Sequence, residues 1–230
     1  MKTLGLIGGM SWESTVHYYQ QINQTVKETL GGLHSAKIVL YSVDFAEVEL
    51  LQTTGQWDAA GAMLADIARK LEVAGADALM ICTNTMHKVA DAVQSAVTIP
   101  LLHIADPTAL AIQQAGFSKV GLLGTRFTME QDFYRSRLET RHGLTVLTPP
   151  SADRDLVHSI IYEELCLGEV KDASRQAYLR IIDDLQAQGA QAIILGCTEI
   201  AMLIQPQHCT LPLFDTTFLH ARCAALWALS

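Results

Sequence analysis

Two positions in this chain combine a proton-carrying side chain with a place where a ligand could be held. Cys197 follows the apolar run Ala192–Gly196 and precedes Thr198-Glu199. Thr83 follows the apolar run Ala78–Cys82 and precedes Asn84-Thr85. A residue just past a strand and near a helix start sits among free backbone N–H groups, which bind anions and lower a thiol's pKa. From an ordinary value of about 8.5, a modest shift would make a cysteine largely thiolate near neutral pH. A threonine hydroxyl is a far weaker acid, and serves as a donor or relay when a neighbour or a water assists. One such group on each face of a carbon acid could remove a proton from one side and return it on the other. The plainer reading of Cys197 is a small hydrophobe at a strand end. Cys82, one place before Thr83, points to the opposite face of its strand and reads as core filler.

The two positions correspond within the chain. Leu4-Gly5-Leu6-Ile7-Gly8-Gly9 matches Val120-Gly121-Leu122-Leu123-Gly124-Thr125, and Gly75–Thr83 matches Gly189–Cys197 without a gap. Thr98-Ile99-Pro100-Leu101-Leu102 matches Thr210-Leu211-Pro212-Leu213-Phe214. The offsets, 116, 114 and 112 residues, are nearly constant, which implies an internal duplication. In that register Thr83 is the counterpart of Cys197.

The elements that must position these residues alternate as strand and helix. Strands are predicted at Leu4–Ile7, Lys37–Val43, Ala78–Cys82 and Ile99–His103. Helices are predicted from Ser14 or Thr15 to Leu30, at Asp58–Ala74 and at His87–Gln94. This order predicts an α/β fold of two similar Rossmann-like domains, each with a parallel sheet covered by helices. The duplication predicts pseudo-twofold symmetry with the active site in the cleft between them, since ligands of open α/β sheets bind beyond the carboxyl ends of strands. Residues 1–105 plus 210–230 are expected to form the first domain and 106–209 the second, with the segment from Asp215 packing back on the first.

Composition narrows the function. Half of the 230 residues are hydrophobic and 17% are charged, enough for a real core. The net charge of -8 argues against a nucleic-acid partner. No run reaches the roughly 18 apolar residues of a membrane span, and a signal peptide is not evident, so a cytoplasmic protein is expected. The five cysteines form no Cys-x-x-Cys pair and the histidines lack ligand spacing, so neither a metal nor a disulfide framework is expected. Gly5-x-x-Gly8-Gly9 lacks dinucleotide-binding spacing, and no cofactor is expected.

Three segments carry a resemblance: Gly8-Gly9-Met10-Ser11-Trp12-Glu13-Ser14-Thr15, Thr83-Asn84-Thr85-Met86-His87 and Gly196-Cys197-Thr198-Glu199-Ile200. Together they resemble the aspartate/glutamate racemase family over essentially the whole chain. The resemblance implies a two-domain α/β enzyme, usually a homodimer, that needs neither pyridoxal phosphate nor metal. It implies a racemase of aspartate, glutamate or a broader set of amino acids. The family uses a pair of cysteines, and here one is replaced by Thr83, which points to a threonine/cysteine branch with Thr83 and Cys197 as the catalytic pair. Position and resemblance together assign Asn84, Thr85 and Thr198 to the substrate carboxylate. The resemblance places Met10 and Gln52 against the substrate, Gln52 in a loop where aspartate-specific relatives carry a basic residue. Glu199 would pair with the substrate ammonium or orient Cys197. His87 would relay protons or cap its turn. Arg126 is a further candidate for a carboxylate. Other carbon-acid enzymes of the same fold, of the hydantoin racemase, maleate isomerase or decarboxylase type, and a non-catalytic small-acid binding protein are the alternatives.

Overall fold

The computed structural model describes residues 1–230. The chain forms two compact units. One comprises Met1–Ile104 with His220–Ser230, the other Ala105–Leu219.

The first unit contains β1 (Thr3–Gly8), α1 (Trp12–Leu30), β2 (Lys37–Ser42), α2 (Phe45–Thr53), α3 (Trp57–Val73), β3 (Ala78–Ile81) and α4 (Ala90–Ser95), with a 3-10 turn at Thr85–Val89. Its sheet has the order β2-β1-β3, all parallel. β1 and β3 are buried, as strands covered by crossover helices must be, while β2 is the more exposed edge strand. Leu4, Leu6, Met80 and Cys82 pack with Tyr18, Ile22 and Val26 of α1. Ile7, Leu79 and Ile81 point the other way, onto Leu64, Ala68 and Leu71 of α3. Cys82 is thus core.

The second unit contains α5 (Ala105–Gln114), β4 (Lys119–Gly124), α6 (Arg126–Glu130), α7 (Asp132–His142), β5 (Thr145–Leu147), α8 (Ser151–Glu163), α9 (Asp172–Ala187), β6 (Ala192–Gly196), α10 (Ile200–Leu203) and β7 (Leu213–Asp215). Its parallel sheet has the order β5-β4-β6-β7. Leu123, Ile193 and Leu195 meet Val157, Ile160 and Ile161 of α8 and Tyr178, Ile181 and Leu185 of α9. The last helix, α11 (Thr216–Leu229), belongs to the first unit from His220 onward. There Ala221, Ala224, Ala225 and Ala228 pack against Leu4 and Tyr18.

The duplication read from sequence extends to local geometry. The Asp77 N–H donates to the Thr3 carbonyl, and its counterpart Gln191 N–H to the Lys119 carbonyl, both at 2.8 Å. Leu79 N–H reaches Pro100 O at 2.8 Å, and Ile193 N–H reaches Pro212 O at 2.9 Å. Gly75 and Gly189 both have positive φ, 91° and 95°.

Three sequence expectations change. The fourth strand at Ile99–His103 reduces to a single bridge between Leu79 and Leu101. Two bonds flank Leu101, from the Leu79 N–H to the Pro100 carbonyl and from the Leu102 N–H to the Leu79 carbonyl, and Pro100 has no N–H to extend the pairing backward. The segment 210–219 goes with the second unit rather than the first, because β7 within it pairs with β6. The helix expected over His87–Gln94 is a 3-10 turn followed by a short α-helix.

Candidate active site

In the first unit, the loops after β1 and β3 lie at the same edge of the sheet, because the strands are parallel. The turn after β1 is fixed by its own side chains. Thr15 Oγ1 accepts the Gly9 N–H and donates to the Ser11 carbonyl, each at 2.8 Å. Ser11 caps α1 by accepting the Ser14 N–H. Gly9 has φ of 91°, and a Cβ there would lie 2.4 Å from the Val43 carbonyl, so only glycine fits. This turn carries Met10, which is buried in the core cluster with Ile7 and Val48.

Thr83 is partly exposed at the end of β3, and Asn84 and Thr85 are buried behind it. His87 Nδ1 donates to the Thr83 carbonyl at 2.8 Å, and its Nε2 accepts the Ile104 N–H at 3.2 Å. Both ring nitrogens therefore bind backbone, and His87 clamps the turn instead of relaying protons to the Thr83 hydroxyl. Its ring packs against His103, with centroids 4.4 Å apart, and His220 lies beyond at 5.9 Å. Gln52 is not in a loop. It sits on α2, a helix capped by Asp44, and is buried with its Nε2 donating to Met86 Sδ at 3.0 Å. Met86 ties Gln52 to the turn that begins at Thr83.

In the second unit, Cys197, Thr198 and Glu199 occupy the turn after β6. Gly196 lets this strand end approach its neighbour, since a Cβ there would lie 2.9 Å from the Leu123 carbonyl. The Cys197 thiol donates to Glu199 Oε2 at 2.9 Å, and the Thr198 hydroxyl donates to the same oxygen. Glu199 is buried. The expectation of a lowered thiol pKa is overturned. Burial pushes the Cys197 thiol well above its usual range, and the charge of Glu199 and then Cys166 add to the effect. The helix that was to lower it, α10, has only four residues, too short to offer much of a dipole. At rest Cys197 is a protonated thiol whose S–H points to Glu199 Oε2, two residues away.

Cys166 and Tyr178 belong to the same surroundings and escaped the sequence reading. Both pack in the cluster that Cys197 touches. Burial also raises the Tyr178 phenol, and a thiolate at Cys197 adds to the effect. Neither lies near a motif, so no local signal could have found them. Arg126 is half exposed and pairs with Asp155 at 2.7 Å, which occupies it on the surface. No group of three or more His, Cys, Asp or Glu side chains is placed to hold a metal, and no helix is long and apolar enough to cross a membrane.

The sequence profile of the Asp/Glu/Hydantoin racemase family matches residues 7–224, nearly the whole of this arrangement. The chain belongs to this family. A provisionally assigned Asp/Glu racemase from Yersinia pestis is 59% identical, with a TM-score of 0.94 and full coverage of both chains. An aspartate racemase homologue from Pyrococcus horikoshii OT3 is 33% identical, with a TM-score of 0.86 and full coverage of both chains. Among curated relatives, the glutamate racemase of Persephonella marina is 28% identical over 56% of this chain and 48% of its own length. The broad specificity amino-acid racemase RacX of Bacillus subtilis is 23% identical over 66% of this chain and 65% of its own length. The match thus spans about half the length of the first glutamate racemase and about two thirds of RacX. A Francisella tularensis glutamate racemase solved with D-glutamate, at 17% identity and a TM-score of 0.67, shares the fold.

Proposed function

We propose that this family member is a cofactor-independent amino-acid racemase that takes aspartate, glutamate or a broader set of amino acids. In this reading it is cytoplasmic and works as a homodimer. Cys197 and Thr83 act as the two proton-transfer groups, one on each side of the α-carbon. Asn84, Thr85 and Thr198 hold the α-carboxylate, and donors on it also help to spread the charge of the carbanion. Met10 and Gln52 shape the side-chain pocket.

The observation that carries the reading is the short contact between the Cys197 thiol and Glu199 within the Gly-Cys-Thr-Glu segment at the end of β6. It gives the thiol proton a destination. Proton transfer to Glu199 makes the thiolate, which then takes the substrate α-proton, while Thr83 relays a proton from a solvent water to the other side of the carbanion and keeps its own hydroxyl; the proton on Glu199 returns to the hydroxide that this leaves. Thr83, whose hydroxyl is a far weaker acid than a thiol, is the weaker partner, and the two directions run at unequal rates.

Incubation with each common amino acid in deuterated water, without pyridoxal phosphate, tests this by proton NMR. Aspartate or glutamate is expected to lose its α-proton signal and gain the opposite enantiomer. Cys197→Ala is expected to lose both. Exchange that persists in Cys197→Ala, or a wild type that exchanges none of them, would falsify the reading. A 5-substituted hydantoin run alongside separates amino-acid from hydantoin racemisation.

A further inference from the structure

The first unit leaves one apolar surface uncovered. The inner face of α1 buries Tyr18, Ile22 and Val26, yet its outer face presents Trp12, Val16 and Tyr19, which are 65%, 52% and 54% exposed. Positions 12, 16 and 19 stand in one row on a helix. Beside them runs β2, the outer strand of the sheet, whose free edge has no partner strand. Leu40 on this strand is 44% exposed. Strand and helix row are neighbours. The Asn23 side chain of α1 accepts the Ala36 N–H at the entry to β2 at 2.9 Å. Leu40 and Thr15 also close over the same glycine, Gly8. An open parallel edge next to a row of large apolar side chains is a surface that proteins normally cover or charge.

The geometry points to a second copy of this chain as the cover, with the two β2 strands antiparallel about a twofold axis near Leu40. The charge pattern of the strand selects this occupant. Lys37 opens β2, and Asp44 and Glu47 follow its end. Antiparallel docking sets Lys37 of each copy beside the acidic end of the other, so the complementarity is satisfied twice. Neither Lys37 nor Glu47 has an ion-pair partner within its own chain. The apolar centre of the surface, Leu40 with Trp12, Val16 and Tyr19, then meets its own copy. This location rests on the homodimer part of the proposed function, and the test separates the two.

Sedimentation equilibrium of the wild type and three variants decides it. The wild type is expected to be a dimer at micromolar concentration. Leu40→Lys is expected to sediment as a folded monomer, with its far-UV circular dichroism unchanged. Lys37→Glu is expected to weaken dimerisation at least tenfold, and adding Glu47→Lys to it is expected to recover most of that loss. A wild-type dimer that ignores both Leu40→Lys and Lys37→Glu overturns the surface and leaves the homodimer standing. A wild-type monomer overturns both.

Discussion

At the scale of single residues, Glu199 sets two opposing requirements on Cys197. Its charge disfavours the thiolate, yet its oxygen accepts the thiol proton. Glu199→Gln separates them. Removing the charge lowers the thiol pKa toward its ordinary value, so iodoacetamide should alkylate Cys197 faster at pH 7–8. Removing the acceptor should cut kcat for α-proton exchange by roughly 100-fold, the usual scale for loss of a proton-transfer partner, with KM little changed. Reactivity and turnover that fall together would mean that Glu199 only holds the turn. Cys82 gives a contrast. Burial raises its thiol, and the unfolded chain ionises first. Its contribution is therefore fully present below pH of about 8.5 and fades as pH rises above that value. Urea titrations at pH 8 and pH 10 should show a smaller loss of stability for Cys82→Ala than for the wild type. The residue types of Thr83, Cys197 and Glu199 were legible from sequence because they sit in short motifs. The direction of the thiol shift was not, because burial and Cys166 come from segments distant in sequence.

At the scale of elements, the turn after β1 and the start of the second unit each depend on a few contacts. Gly9→Ala forces a Cβ onto the Val43 backbone at a positive φ, and should cost at least about 2 kcal/mol in chemical denaturation. Asp106 on α5 accepts Nε and a terminal nitrogen of Arg137, both at 2.7 Å, and contacts His142 Nε2 at 3.1 Å. Burial alone would raise this carboxyl, but the bonds from Arg137 and His142 overcome it and hold it below its usual value. The depressed pKa means that the stabilisation is present above the unfolded value of about 3.9 and is lost as pH falls through the folded one. Asp106→Asn should cost about 1 kcal/mol at pH 7, since the pair is partly exposed, and less once the pH falls below about 3.9. Strands with apolar runs, such as Leu4–Ile7 and Ala78–Cys82, were readable because burial on both faces leaves no other pattern. Helix α2 was missed. It is short, its apolar residues Val48, Leu50 and Leu51 make no clean stripe, and its cap at Asp44 was the only sequence signal.

At the scale of the whole molecule, the duplication was legible because glycines and strand ends repeat at nearly constant spacing, and the structure repeats their hydrogen bonds. The repeat register also places Thr210–Phe214, the counterpart of Thr98–Leu102 in the first unit, within the second unit, where its strand pairs, although the boundary was expected at 209. The division predicts how fragments behave. Residues 105–219, continuous in sequence, should fold cooperatively as a separate peptide, judged by near-UV circular dichroism and a sharp urea transition. Residues 1–104 alone should not, because they lack the alanine face of α11 against Leu4 and Tyr18 and the Tyr18–His220 contact at 2.9 Å. Linking 220–230 back to them should restore the transition.

The placement of α11 also sets an order in time. A ribosome releases the first unit's sheet early, but the helix that seals one face of it follows only after the second unit. At roughly 5–20 residues per second, the wait while 105–219 is made is on the order of ten seconds. Through that interval Leu4, Leu6 and Tyr18 lack their alanine partners, which are made only after the second unit. Vectorial synthesis therefore completes this protein back to front, and its N-terminal half is the half that needs shelter as it emerges.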